Sequence, residues 1–235
     1  DLVRSRGLGD VYKRQFQVRD GDELFRQGVF YDANGLSADE IDTLEAYTFG
    51  TDLEFMPVAD FIEEIFFQEC ADMDGVCVGL NLPFDLSRLA IDHGTAKGGK
   101  RGSVFKHGFS LKLSPSELRS RVKVKHLSHR AAFIQFADPK RPQKKNTKRK
   151  AKYERPKGFF VDVKTLAGAL LAESHSLVSL SEALKTPTRK SASDDHGKTL
   201  KPDYIKYALD DVQCTWECYA ELIERLETHK LPNLH

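Results

Sequence analysis

Two separated stretches constrain this 235-residue chain more than anything else in it. Gly75-Val-Cys-Val-Gly-Leu80 is too short for a helix and rich in β-branched residues, so it predicts a buried strand. The segment that follows, Asn81-Leu-Pro-Phe84-Asp85-Leu-Ser-Arg-Leu-Ala90, sets Asp85 just past the end of that strand. From Pro202 to Glu227, apolar residues recur at Ile205, Leu209, Val212, Trp216, Tyr219 and Leu222, close to helical spacing. Tyr207 and Asp211 are four apart and share one face of that helix. Either element alone has an ordinary reading. An Asp at a helix start serves as a cap or compensates the helix dipole, and a Tyr and an Asp one turn apart commonly face water.

The segments between fit a β-α-β rhythm. Leu24–Tyr31 reads as a strand and Asp32-Ala-Asn-Gly35 as a turn or loop. Ser37-Ala-Asp-Glu40 has capping-box form and opens a short helix. Pro57 starts a stronger helix with Phe61, Ile65 and Phe66 facing inward, leading to the strand before Asp85. Phe159-Phe-Val-Asp162-Val-Lys-Thr165 reads as another strand, with Asp162 capping a helix that starts near Thr165. This order predicts a mixed α/β sheet. At 40% hydrophobic residues the chain can bury one sizeable core, one domain with an insertion.

Taken together, Asn81-x-x-Phe84-Asp85 after a strand and Tyr207-x-x-x-Asp211 on a later helix resemble the second and third motifs of the DEDD 3′→5′ exonucleases. Tyrosine rather than histidine looks like the proofreading-type, DEDDy branch, and Phe159–Ala167 is similar to the strand and Asp-x-x-Thr turn between those motifs. The resemblance covers about residues 20 to 228. It implies a ribonuclease H-like mixed sheet flanked by helices, and two divalent cations, Mg²⁺ or Mn²⁺, held by acidic residues. Asp85 and Asp211 would be metal ligands, Tyr207 would orient the attacking water, and Asn81 and Phe84 would contact the terminal nucleotide. Magnesium prefers hard oxygen ligands, and a pair of ions can stabilise both the attacking and leaving oxygens of an in-line displacement. Asp210 competes with Asp211 but points about 100° away around the helix, so Asp211 is favoured. The implied activity is hydrolysis at single-stranded DNA 3′ ends, within a larger DNA polymerase of the family B kind or another nuclease. A stand-alone RNA-processing exonuclease and a non-catalytic nucleic-acid-binding module of the same fold are the other readings.

The chain departs from this family in one respect: no Asp-x-Glu pair on an apolar strand precedes Asn81. Asp20, Asp22, Glu23 and Asp32 are the acidic residues available, in polar surroundings. Residues 1–15 look like translated adapter sequence and are set aside from fold reasoning. The native domain is therefore expected over 16–235, with its first strand and first motif missing and the fragment inactive.

The formal net charge of +1 conceals a segregation along the chain. Residues 97–157 hold 20 Lys and Arg against Glu117, Asp138 and Glu154, leaving 16 basic and 32 acidic residues elsewhere. Within this basic insertion Val104–Leu113, Arg121–Leu127 and Ala131–Ala137 alternate as strands do, and Val122–Lys125 with Phe133–Phe136 suits a β-ribbon. The run Lys140–Lys150 has no apolar residue and reads as an exposed loop. Such clustering suits the backbone of a single-stranded nucleic acid or a primer end. His196 lies 15 residues from Asp211 and reads as a loop residue. Cys70, Cys77, Cys214 and Cys218 lack Cys-x-x-Cys spacing. Cys214 and Cys218 share a helix face but read as reduced core thiols rather than zinc ligands, in a cytoplasmic protein. No apolar run approaches membrane-spanning length.

Overall fold

The structure, a computed structural model, describes residues 13–32, 35–96, 104–138, 156–189 and 202–228; the Lys140–Lys150 run and His196 lie outside them. It is mixed α/β, with a three-stranded, a two-stranded and a four-stranded sheet among the described residues. Two compact units divide it, one of Asp1–Phe61 with Ala167–His235, the other of Ile62–Leu166.

The first unit opens on an antiparallel pair, β1 (Lys13–Asp20) and β2 (Glu23–Tyr31), turned by Gly21-Asp22. Gly21 sits at φ 56°, where only glycine is free of a Cβ penalty. The expected strand at Leu24–Tyr31 is therefore present. β1 was not foreseen, and it begins inside the segment set aside: Lys13 pairs with Tyr31, Arg14 with Phe30, Gln15 with Val29. Ladder pairing draws on main-chain groups, so a polar, low-propensity strand forms where β2 offers a partner. Asp22 lies in the hairpin turn itself, with Asp20 and Glu23 pairing on either side of it. Helix α1 (Ala38–Thr48) carries the expected capping box: the Ser37 hydroxyl accepts from the Glu40 N–H at 3.3 Å, and the Glu40 carboxylate accepts from the Ser37 N–H at 3.1 Å. It seats Leu44, fully buried, against Val29, with Tyr47, Phe55 and Leu209 alongside. β3 (Leu53–Pro57) runs parallel to β2, and a short α2 (Val58–Asp60) follows, after which Phe61 stacks on Phe30 at 3.7 Å.

From Phe61 the helix expected after Pro57 winds as a π-helix to Asp72, a correction to the α-helix its sequence suggested. Its buried apolar residues explain the wider winding. They fall in groups at 61–62, 65–67 and 70–71, a repeat longer than 3.6, which an i→i+5 ladder places on one face. Phe61, Ile65 and Phe66 do face inward. In the second unit Arg119 clamps this helix, with Nε on Glu63 at 2.8 Å, Nη1 on Asp72 at 2.7 Å, and its guanidinium over the Phe67 ring.

Strand β4 (Val76–Gly79) pairs in parallel with β9 (Phe159–Asp162). The expectation of a buried strand is corrected, since Val76 is 48% exposed and the rest of β4 is half-buried. With one neighbouring strand among the described residues, it is not enclosed as a central strand is. Between them lie α3 (Leu82–Leu89) and the antiparallel sheet β5 (Asp92–Thr95), β6 (Phe109–Lys112), β7 (Val122–His126) and β8 (Ala132–Phe136), in that order. The expected ribbon is there, with Val122 opposite Phe136 and Lys125 opposite Phe133, as one edge of a larger sheet. The strand expected over Val104–Leu113 is shorter. Residues 104–107 turn, with His107 at φ 64°, because Gly108 must approach the Val124 carbonyl so closely that a Cβ there would lie 2.5 Å from it. Helix α4 (Val163–Leu171) crosses from this unit to the first, where α5 (Leu177–Leu184) and α6 (Pro202–Thr228) complete the chain. Ahead of α6, Thr188 donates both its N–H and its hydroxyl to the Glu217 carboxylate at 2.8 Å, which ties residue 188 to the helix.

Candidate metal and nucleotide site

The first turn of α3 carries Asn81, Phe84 and Asp85 together. Pro83 suits a helix start, and Leu82, Pro83 and Leu86 are buried, so the opposite face turns outward with Phe84 half exposed. Asn81 is the N-cap residue, yet its side chain makes no capping bond; its carbonyl accepts from the N–H groups of Phe84 and Asp85 at 3.0 and 3.2 Å. The cap comes from Asp162 instead. Its Oδ1 accepts from the Leu82 N–H at 3.0 Å, while Oδ2 accepts from the Thr165 N–H at 3.0 Å and the Thr165 hydroxyl at 2.6 Å. Asp162 thus caps α4, as its sequence context suggested, and ties the start of α3 to it. The Lys164 N–H adds a bond to the Leu80 carbonyl at 3.1 Å.

Burial raises the Asp162 pKa, and its bonds from Thr165 and Leu82 oppose that rise. Asp85 is half-buried in the first turn, where the positive end of the helix favours a carboxylate. The Cys77 thiol on β4 is pushed well above its ordinary value, first by burial of the sulfur and then by charge at Cys70 and at Asp85. Arg88, which sequence reasoning passed over, lays its guanidinium over the Phe84 ring, 5.0 Å from the centroid. Its spacing of four from Phe84 is the signal that could have found it.

Tyr207 and Asp211 belong to the other unit, on α6. Cys214, Cys218 and Leu222 are fully buried and form the inward seam of that helix, which packs against β1 and α5. At about 100° per residue, Tyr207 and Asp211 fall within the same arc as those three, roughly 80° wide. Both are half-buried, and Oδ1 of Asp211 is shut off from solvent. Asp210 lies off the seam. On the flank of α6, Gln213 receives Nη2 of Arg19 at 2.7 Å and Nε2 of Gln17 at 3.2 Å, and Arg19 also stacks on Trp216. The thiols of Cys214 and Cys218 fill the core, and burial pushes Cys218 up to about 12.

Asp85 and Asp211 offer the hard oxygens that Mg²⁺ or Mn²⁺ prefers. Among the described residues no group of three or more His, Cys, Asp or Glu side chains gathers to hold a metal ion. Among the described residues no helix is long and apolar enough to cross a membrane. No protein-family profile, no curated protein and no solved structure matches the chain.

Proposed function

We propose that the chain is a DEDDy-type 3′→5′ exonuclease domain of ribonuclease H-like fold, hydrolysing phosphodiester bonds at single-stranded DNA 3′ ends. The observation that carries this reading is that Tyr207 and Asp211 line up with the buried seam of α6 and are themselves half-buried, where a pair that only decorates the surface would be exposed. The first turn of α3 supports it. With Asp162 serving as cap for Leu82, the Asn81 side chain is spared that task, and Phe84 with Arg88 presents an exposed aromatic face beside Asp85. Asp85 and Asp211 are the proposed metal ligands, Tyr207 the group that orients the attacking water, and Asn81 and Phe84 the contacts to the terminal nucleotide. Bound Mg²⁺ or Mn²⁺ would stabilise the developing charge on the phosphate oxygens. The ligand set requires carboxylates beyond these two.

The absence of an Asp-x-Glu pair before Asn81 favours a second reading, a nucleic-acid-binding module without turnover. One assay separates the two. A 5′-labelled single-stranded DNA is incubated with Mg²⁺ or Mn²⁺ and either this chain or the chain extended upstream in its reading frame. A 3′→5′ ladder in either form supports the exonuclease. No cleavage in either, with salt-sensitive binding retained, supports the binding module and ends the exonuclease assignment.

A further inference from the structure

The four-stranded sheet of the basic insertion has two unlike faces. Directly opposed residues of an antiparallel pair share a face. Val122, Val124 and Phe136 are buried on one side; Lys123 opposite Gln135 and Lys125 opposite Phe133 occupy the other. On that outer side Arg121 is bound to Asp92 at 2.8 Å and Lys112 to Glu117 at 2.6 Å. No carboxylate among the described residues pairs with Lys123 or Lys125.

Beside this face, between β8 and β9, runs an open groove of about 530 Å³. Phe136 and Phe160 line it, their rings 4.9 Å apart, and Phe136 is buried against Phe66 of the π-helix. Phe105, Phe133 and Phe159 line it too; Phe133 is 47% and Phe159 65% exposed. The Lys123 ammonium lies 5.9 Å from the centre of the Phe105 ring, and Lys157 stands in the lining with Asp138.

We infer that this groove and the Lys123–Lys125 face form a stacking platform for single-stranded nucleic acid, with bases on Phe133 and Phe159 and phosphates on Lys123 and Lys125. The inference rests on the nucleic-acid reading above and adds to it a site separate from Asp85. Exposed aromatic rings beside ammonium groups that no described carboxylate pairs match such a strand in both its parts. Rings take any base by its π-face, and lysines take the backbone without reading sequence. An apolar peptide would use the rings and leave Lys123 and Lys125 without a role.

The test is binding of a labelled oligo(dT) of about 15 nucleotides to the full chain, by fluorescence anisotropy in EDTA, beside an abasic oligonucleotide of equal length. The expected result is binding roughly ten-fold tighter for oligo(dT) than for the abasic strand. Phe133→Ala and Phe159→Ala should remove most of that difference and leave the salt slope unchanged. Lys123→Ala with Lys125→Ala should reduce the slope of log affinity against log salt by about 1 to 1.5. Phe133→Leu, which keeps an apolar side chain in place, should lose the base-dependent difference as Phe133→Ala does, so that unfolding cannot imitate the effect. Equal affinity of the unaltered chain for both strands overturns the platform, as does oligonucleotide binding indifferent to Phe133 and Phe159, the outcome expected of a groove that serves a protein segment. Base-dependent binding without a cleavage ladder leaves the platform standing and removes the exonuclease; a ladder without base-dependent binding does the reverse.

Discussion

Asp162→Ala is the substitution whose effect the structure sets most directly. The residue is 8% exposed, and its side chain accepts three hydrogen bonds, one from Leu82 at the start of α3 and two from Thr165 at the start of α4. Loss of a helix cap costs about 1 kcal/mol, and here two helices lose theirs. The bond from the Thr165 hydroxyl adds about 1 kcal/mol. Against this, the variant no longer buries a carboxylate whose pKa burial has raised, which returns part of the loss. A net loss of about 2 kcal/mol follows, which for a chain of this size lowers Tm by roughly 4–8 °C. Thermal melts followed by circular dichroism measure it. Hydrogen exchange locates it, because the Phe84 and Asp85 amides bonded to the Asn81 carbonyl should exchange faster once the α3 start is freed.

Asp162→Asn sharpens the test. The amide keeps one acceptor for Leu82 but turns an NH₂ toward the Thr165 N–H, for a loss of about 1 kcal/mol at neutral pH. The sign of the pH dependence is fixed by the raised pKa. A carboxyl that binds its proton more tightly when folded adds stability that is fully present below its unfolded value, about 3.9, and lost as pH rises through the folded value. The gap between the native chain and Asp162→Asn should therefore widen as pH falls toward 4. A loss below about 0.5 kcal/mol in Asp162→Ala, or a gap that narrows toward acid, would refute the double-cap reasoning.

In a form of the chain that shows the cleavage ladder, Asp85→Ala and Asp211→Ala should each lower Mg²⁺-dependent degradation at least about 100-fold, and Tyr207→Phe less; unaltered turnover in either Asp variant sinks the metal assignment. Arg119→Lys gives up the fork that holds Glu63 and Asp72 together and should cost about 1 kcal/mol in urea denaturation, the partly exposed pairs counting for little more; no change would show the clamp to be passive. Cys70 and Cys218 are both pushed up to about 12 by burial, so their contribution is intact below about pH 8.5 and is lost as pH rises toward the folded value. Unfolding free energy should accordingly fall above about pH 8.5, by at most about 1.4 kcal/mol per pH unit for each thiol, and less so in Cys218→Ala.

The elements legible in the sequence are those whose signal is local. The capping box at Ser37, the Asp162 cap over Thr165, the Val122–Phe136 ribbon and the long amphipathic α6 all follow from spacing within a few residues. What was missed depends on partners outside the element itself. β1 is a polar strand held by β2, and Gly108 bends the Val104–Leu113 stretch because Val124 lies against it. The π-helix was legible in principle from its long apolar repeat, which a 3.6-residue template reads only in part. At the candidate site, Asp85, Tyr207 and Asp211 are named through the resemblance of their motifs to those of a known family. The link from Asp162 to Leu82 could not be read from the sequence, since it joins residues 80 positions apart.

The two candidate carboxylates carry different weight. Asp85 stands where a helix start favours an anion whatever its purpose, so its presence there is explained by local electrostatics alone. Asp211 lies inside α6, away from a helix start. It occupies the seam that Cys214, Cys218 and Leu222 fill with buried sulfur and hydrocarbon, and an apolar side chain there would extend the core at no desolvation cost. A carboxylate held in that position, with a phenol one turn before it, is a choice against packing. Natural chains concede stability of this kind chiefly at sites of chemistry. The functional reading therefore rests more on α6 than on the more familiar-looking motif of α3.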